Sequence, residues 1–458
     1  MPSRPQFFHL PNSVSCRILD RFSDLPDDAE VEEDENGKIP FWPLLKHLLC
    51  TPVSSIAQLI DRLQTIAANA ETCHDSDYGF LKQLLEQRGE AAILDTIWPK
   101  IHDIALALPI YFPDGKLELL QPGHPLHLSR GDDDGYQDLG ILFSSEQRHP
   151  TAVQMYLEAL FTYFESIPEA RALLEDHQVA PKTAHGSVSY QLHLGKPVSL
   201  EAVKLAKLQV NFLDAHTSNT HNPEVQGEGG AAVVSSNKVI GFGQSATQEE
   251  IFVGIAPEAY PVVLVAPRLT DDTVITVSGA RAMVDMKGQR RNIEWTIHPT
   301  PPSEDFGEWK KSWRGGRLVF MDALEMDMLE HSEDTGLPDL SRENIDREIN
   351  KSANGFSSYK GNSVFTGLWG CGAFGGDPGV KLLILCLAAG ATDVELNLML
   401  GPGEHDLGRK LEEVVRVCQD LTAADVRELL SKVPRDLRGG GILGWVANEA
   451  SGAQHDTC

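Results

Sequence analysis

Gln248-Glu249-Glu250-Ile251-Phe252-Val253-Gly254-Ile255 places two adjacent glutamates at the head of an apolar run. Carboxylates at the first turn of a buried element cost free energy unless something uses them. Glycines precede the stretch, at Gly227, Gly229 and Gly230 and again at Gly241 and Gly243. Taken alone the pair has a plain structural use, because two acids at a helix N-terminus complement the positive end of the helix dipole. A second glycine-rich piece lies far downstream. Trp369-Gly370-Cys371-Gly372-Ala373-Phe374-Gly375-Gly376 runs into Asp377-Pro378 and an apolar segment. Its glycines permit close backbone approach, and a helix beginning at Asp377 offers N–H groups to an anion. An Asp N-cap competes for those donors, so an anion is expected on the loop before the cap.

The texture around these two pieces indicates an α/β fold. From residue 186 onward, alternating stretches predict strands at 188–194, 208–212, 274–277, 293–297, 317–321 and 394–400. Helices interleave at 341–353, at 377–389 with Pro378 at the first turn and Gly390 past the end, and from a Thr422 cap to about 432. Strands alternating with helices imply a mixed sheet flanked by helices. Before 186 the spacing is helical, at 44–49, 56–67, 80–88 and 153–167. The expected division is a helical accessory region over 1–185, an α/β domain over 186–432 and a C-terminal extension over 433–458.

The chain has 458 residues and a formal net charge of −27. Such a field repels nucleic acid at long range, so direct DNA binding is not expected. The acidic groups at 27–35 and 132–134 read as solvated loops. No apolar run is long enough to span a membrane, and the N-terminus lacks a signal-peptide apolar region, so a nuclear or cytoplasmic location is expected. Seven scattered cysteines without a CxxC argue against a disulfide framework or structural zinc. The Cys73-His74-Asp75 cluster reads as a loop, Gly403-Glu404-His405-Asp406 as a turn and helix cap, and Lys310-Lys311-Ser312-Trp313-Arg314 as a small basic-aromatic turn.

Adjacent glutamates on a helix point about 100° apart. They cannot flank one bond as a facing carboxylate pair. Glycoside cleavage needs a proton donor for the leaving oxygen and stabilisation of an oxocarbenium-like centre. One glutamate therefore suits acid/base work and the other suits the positioning of a sugar hydroxyl.

The two glycine-rich pieces, in this order, resemble the active-site loops of poly(ADP-ribose) glycohydrolases. The resemblance covers roughly 150–432 and includes Ala159-Leu160-Phe161-Thr162-Tyr163-Phe164, Leu208-Gln209-Val210-Asn211-Phe212, the Gln248-Glu249-Glu250 segment, Ile345 to Lys351, Gly367 to Asp377 and Leu421 to Val426. It implies a macrodomain with a helical accessory region, and hydrolysis of ribose–ribose O-glycosidic bonds in poly(ADP-ribose) to release ADP-ribose. No cofactor or metal is implied. Poly(ADP-ribose) and ADP-ribosylated proteins are the implied partners, and the DNA damage response the implied setting. Glu250 matches the acid/base, Glu249 the glutamate that bonds ribose hydroxyls, and Gln248 an adenine-side contact. Glu201 is a candidate for the adenine amine, with Asn211 nearby in the motif. Gly370, Cys371, Gly372, Ala373, Phe374 and Gly375 resemble the diphosphate loop, with Phe374 against the distal ribose.

The chain also departs from the family pattern. Seventeen residues separate Gly230 from Gln248, and four separate Gly243 from it, so the resemblance leaves open which glycines meet substrate. Asn211 stands where an Asp is usual. Counting back from Trp295 puts Gln289 where a tyrosine normally covers adenine, and Leu400 takes the place of the opposing aromatic. An ADP-ribose reader without turnover and a mono-ADP-ribosyl hydrolase stay open as alternatives.

Overall fold

The computed structural model describes residues 7–26, 28–70, 77–122, 147–167, 188–213, 230–287, 293–297, 316–328 and 337–455. Short strands β1 (Phe7–His9), β2 (Arg17–Ile18), β3 (Ile39–Pro40) and β4 (Lys116–Glu118) form two small ribbons. They accompany helices α1 (Phe41–Cys50), α2 (Ile56–Asn69), α3 (Gly79–Arg88), α4 (Trp98–Leu106), α5 (Leu108–Tyr111) and α6 (Pro150–Ser166). The main sheet collects β5 (Ser189–Leu194), β6 (Leu208–Phe212), β7 (Gly230–Ser236), β8 (Thr273–Ser278), β11 (Arg317–Asp322), β12 (Ser363–Thr366) and β13 (Glu395–Leu400). A separate hairpin joins β9 (Val284–Lys287) to β10 (Glu294–Ile297).

The seven strands lie in the order β5-β8-β11-β7-β12-β13-β6. From β11 to β6 all neighbours are parallel, while β8 runs antiparallel to both β11 and β5. Central parallel strands are covered on both faces and read as continuous apolar runs. This is why β7, with Ala231-Ala232-Val233-Val234, carries no alternation to betray it in the sequence. Its period-2 geometry nonetheless sorts its side chains. Ala232 and Val234 enter one core with Leu318 and Phe320 of β11, whereas Ala231 and Val233 enter a second with Val319 and Met321.

The first core holds α2, α3, α6 and α7 (Gln248–Gly254), with the short α8 (Val262–Val265). It runs from Ile56 through Val153 and Tyr156 to Phe320. The expected boundary at 185/186 therefore does not divide two cores, because the N-terminal helices are the cover of one sheet face. Arg88 of α3 reinforces the docking. It pairs with Glu158 and Glu165, two turns apart on α6, and sits 5.5 Å from the Phe161 ring.

The second core lies under α9 (Arg342–Phe356), α10 (Pro378–Thr392), α11 (His405–Val417), α12 (Ala423–Leu430) and α13 (Gly440–His455). Ile442, Leu443, Val446 and Ala450 of α13 are fully buried in it. The C-terminal helix, beyond the expected boundary at 432/433, packs as part of this layer. Helix α10 starts as expected, with Asp377 accepting from the N–H groups of Gly379 and Val380. It ends three residues later than expected, with Asp393 past the end in the left-handed region (φ 57°). Gly390 is inside the helix because a Cβ there would stand 2.2 Å from the carbonyl of Lys204. Among the described residues no helix is long and apolar enough to cross a membrane. Gln289, Cys73-His74-Asp75, the acidic run 132–134 and Lys310 to Arg314 lie outside the described residues.

Candidate active site

Thr247 caps α7 through a reciprocal capping box. Its hydroxyl accepts from the Glu250 N–H at 3.3 Å, and its own N–H donates to Glu250 Oε2 at 2.9 Å. Glu249 turns inward and is 6% exposed. Its carboxylate accepts from the N–H of Asn237 at 2.7 Å and from the N–H of Gly241. Burial nonetheless wins over these two bonds, and with the nearby Glu250 charge it pushes the Glu249 carboxyl up to about 8. Gln248 is tethered back to the sheet, its Oε1 accepting from the Ser235 N–H at 2.9 Å.

Gly230 is a strand residue of β7 whose missing Cβ lets Ser363 of β12 approach. The glycines that serve the glutamates are Gly241, through its N–H, and Gly243, whose added Cβ would lie 2.8 Å from Glu250 Oε1.

The second loop is a compact coil between β12 and α10. Gly370 and Gly375 have positive φ (75° and 66°), a region that disfavours other residues. The N–H of Gly376 donates to the Gly370 carbonyl at 3.0 Å, and the Phe374 carbonyl accepts from Met326 at 2.8 Å. Three consecutive N–H groups, on Gly372, Ala373 and Phe374, meet no acceptor among the described residues. Gly372 and Ala373 are exposed, and the ring of Phe374 is half-buried. Asp377 already occupies the first N–H groups of α10, so the N–H groups open to an anion are those of the loop. The Cys371 thiol is pushed up by burial and is no nucleophile here.

Buried charges brace this loop from below. Lys381 of α10 pairs with Glu348, stands 4.0 Å from Asp339 and lies 5.3 Å from the Trp369 ring. Arg347 bridges Glu348 at 2.6 Å and Asp322 at 2.5 Å, and Lys351 pairs with Asp322. Burial pushes the Asp339 carboxyl up to about 6, against the pull of Lys381. The Trp369 indole N–H donates to the Met321 carbonyl at 3.0 Å. Asp322 and Met321 close β11, so the network welds the loop to the end of that strand, on the far side of β7.

Loops that carry function in open parallel sheets gather at the carboxyl ends of the strands. Strand β7 leads to Asn237, Gly241, Gly243 and the two glutamates. Strand β12, its immediate neighbour, leads to the glycine loop. Two strands further along, β6 ends in Asn211 and Phe212. Neighbouring strands are about 4.8 Å apart, so the row from β7 to β6 spans roughly 14 Å. Gln248, Glu249, Glu250, Asn211 and the residues Gly370 to Gly375 all lie on this edge. Asn211 accepts from the Gln209 amide at 3.2 Å.

One expected residue, Glu201, is not brought there. Glu201 occupies an exposed turn leading into the opposite, amino end of β6. The adjoining Val203 carbonyl accepts from Ala423, and Lys204 abuts Gly390 near the end of α10. This turn lies away from the edge that carries Glu249 and Glu250. Leu400 closes β13 on this edge, paired with Phe212, and its side chain is fully buried in the second core. Beside it, sequence reading missed an aromatic pair. Phe212, 37% exposed, stacks on the exposed His405 with ring centroids 4.0 Å apart. An apolar ring closing a strand at the edge of the sheet was its signal, but the partner ring is remote in sequence.

A mixed sheet with a two-glutamate helix and a bare-donor glycine loop on adjacent strand ends defines a macrodomain-type site. Residues 202–401 match the family model described as Poly (ADP-ribose) glycohydrolase (PARG), Macro domain fold. Among curated proteins, Poly(ADP-ribose) glycohydrolase 1 of Caenorhabditis elegans is 29% identical over 190 residues, 39% of this chain and 24% of that protein. Poly(ADP-ribose) glycohydrolase 2 of the same organism is 29% identical over 194 residues, 39% of each chain. The chain thus matches well under half the length of these relatives. A solved poly(ADP-ribose) glycohydrolase from Deinococcus radiodurans in complex with ADP-ribose aligns over 45% of this chain and 85% of its own, at 20% identity and a TM-score of 0.27.

Proposed function

We propose that the chain hydrolyses ribose–ribose O-glycosidic bonds of poly(ADP-ribose) and of the polymer carried by ADP-ribosylated proteins, releasing ADP-ribose. The observation that carries this reading is the placement of Glu249 and Glu250 after β7 and of the three bare N–H donors after the adjacent β12. A diphosphate held by the loop N–H groups sets the neighbouring ribose against the glutamates. At the far end of the row, Phe212 and His405 offer a stacking surface for the base in place of the usual aromatics.

Glu250 is the acid/base, because it is half-buried whereas Glu249 is buried. It gives its proton to the departing ribose oxygen as the glycosidic C–O bond breaks. A water then adds to the anomeric carbon and returns a proton to Glu250. Glu249, fixed by two backbone N–H groups, positions a ribose hydroxyl. Acid–base assistance of this kind contributes roughly 10²–10⁴-fold. The substrate would be met in the nucleus or cytoplasm. The test is incubation with automodified polymer followed by identification of products. Free ADP-ribose supports the reading, whereas intact polymer with bound protein supports a reader, and attack confined to single protein-linked units supports a mono-ADP-ribosyl hydrolase.

A further inference from the structure

Tyr156 lies on α6, in the helical layer that precedes the sheet. It is 1% exposed, and its ring packs flat on Gly254, where an added Cβ would stand 2.3–2.7 Å from ring atoms. Gly254 follows Glu250 by four residues, so both occupy one face of α7. On another side the ring meets Phe242, with centroids 5.3 Å apart. Phe242 adjoins Gly243, whose backbone abuts the Glu250 carboxylate. The ring is thus held by the two segments that flank Glu250. Its hydroxyl is buried and has no hydrogen-bond partner among the described residues. A buried donor without an acceptor is costly, and phenylalanine would fill the same space without that cost. Burial first, and then the charge of Glu250 and the proximity of Tyr260, hold the phenol proton in place, so the group stays a donor.

We propose that Tyr156 is a positioning residue for Glu250, its hydroxyl donating to the carboxylate formed when Glu250 gives up its proton. The proposal rests on the glycohydrolase reading above. In the ligand-free arrangement Glu250 Oε2 is engaged by the Thr247 N–H. When the proton passes to the departing ribose oxygen, the new carboxylate takes up the waiting hydroxyl. The same bond holds it in place while it receives the proton of the attacking water. The helical layer then has a part in turnover as well as in covering the sheet.

Tyr156→Phe in the full chain tests this, because it removes one oxygen and keeps the ring. The expected result is an unchanged or raised melting temperature, a kcat lowered roughly tenfold and a KM within about twofold of wild type. Wild-type kcat overturns the proposal. A second measurement is independent of turnover. Urea unfolding of Tyr156→Phe, Glu250→Gln and the double variant should give non-additive changes, since the two groups meet. Additive changes overturn the proposal. A wild-type chain that releases no ADP-ribose would sink the glycohydrolase reading, and the unfolding cycle would still decide whether Tyr156 and Glu250 act together.

Discussion

The carboxylate of Glu250 lies directly against the backbone of Gly243, and a Cβ on that glycine would come within 2.8 Å of Glu250 Oε1. The contact ties the turn after β7 to the residue assigned the proton transfer. Gly243 is not among the glycines in the left-handed region, so alanine meets no backbone penalty there. Gly243→Ala should therefore fold with nearly wild-type stability and displace the Glu250 carboxylate. The expected outcome is a kcat lowered at least about tenfold, since small misplacements of a reacting group are costly. Steady-state kinetics and thermal melting check it. A normal kcat would show that this contact is incidental.

The glycine loop supplies a contrast between binding and stability. A Cβ at Gly372 meets nothing within 4 Å, whereas one at Gly376 would lie 2.4 Å from Lys381 Cε and 2.8 Å from the Gly370 carbonyl. Gly372→Ala should keep its melting temperature and bind ADP-ribose more weakly, because the methyl stands among the bare N–H donors. Gly376→Ala should lower the melting temperature by disturbing the buried Lys381–Glu348 pair. Calorimetric titration and melting of both variants separate the two effects. Equal effects on melting would contradict this division.

Stability should carry the mark of Glu249. Its folded pKa is raised from 4.5 to about 8, mainly by burial. The protonated form is the one the fold prefers, so this contribution is complete below pH 4.5 and is lost as pH rises through about 8. Asp339, raised to about 6, adds a loss of the same sign at lower pH. Urea unfolding across pH 5–8 should show the wild type losing stability relative to Glu249→Gln, with the difference narrowing toward the acid end. A difference that is flat with pH would mean that Glu249 is ionised in the folded protein throughout that range.

Much of this site was legible in the sequence, and the reasons differ by residue. Asp377 and Thr422 are caps, whose chemistry is local, and both cap as residue type requires. The alternating strand 208–212 was read to the residue. Strand β7 was not seen, because burial on both faces erases alternation. Glu201 was misplaced because likeness of spacing to a motif says nothing about which end of a strand the chain has reached. The structural partners of Glu249 and Glu250 lie at Asn237, Gly241 and Gly243, where loop geometry, rather than glycine count, decides the contact.

Salt dependence tests the nature of the phosphate site. The chain carries a net charge of −27, and the loop offers backbone N–H groups rather than exposed cations. Binding that releases few counterions has a shallow salt slope. The affinity for ADP-ribose should change little between low and physiological salt, as followed by titration at several ionic strengths. A steep loss with added salt would place the phosphates on a basic surface elsewhere.

The central claim is that Glu250 passes the proton, and the rate of polymer breakdown by Glu250→Gln tests it most directly. The amide keeps the shape of the side chain and cannot cycle a proton. The variant should bind ADP-ribose within a few-fold of wild type while releasing ADP-ribose from polymer roughly 10²–10⁴-fold more slowly. Release at near wild-type rate by Glu250→Gln would contradict the account.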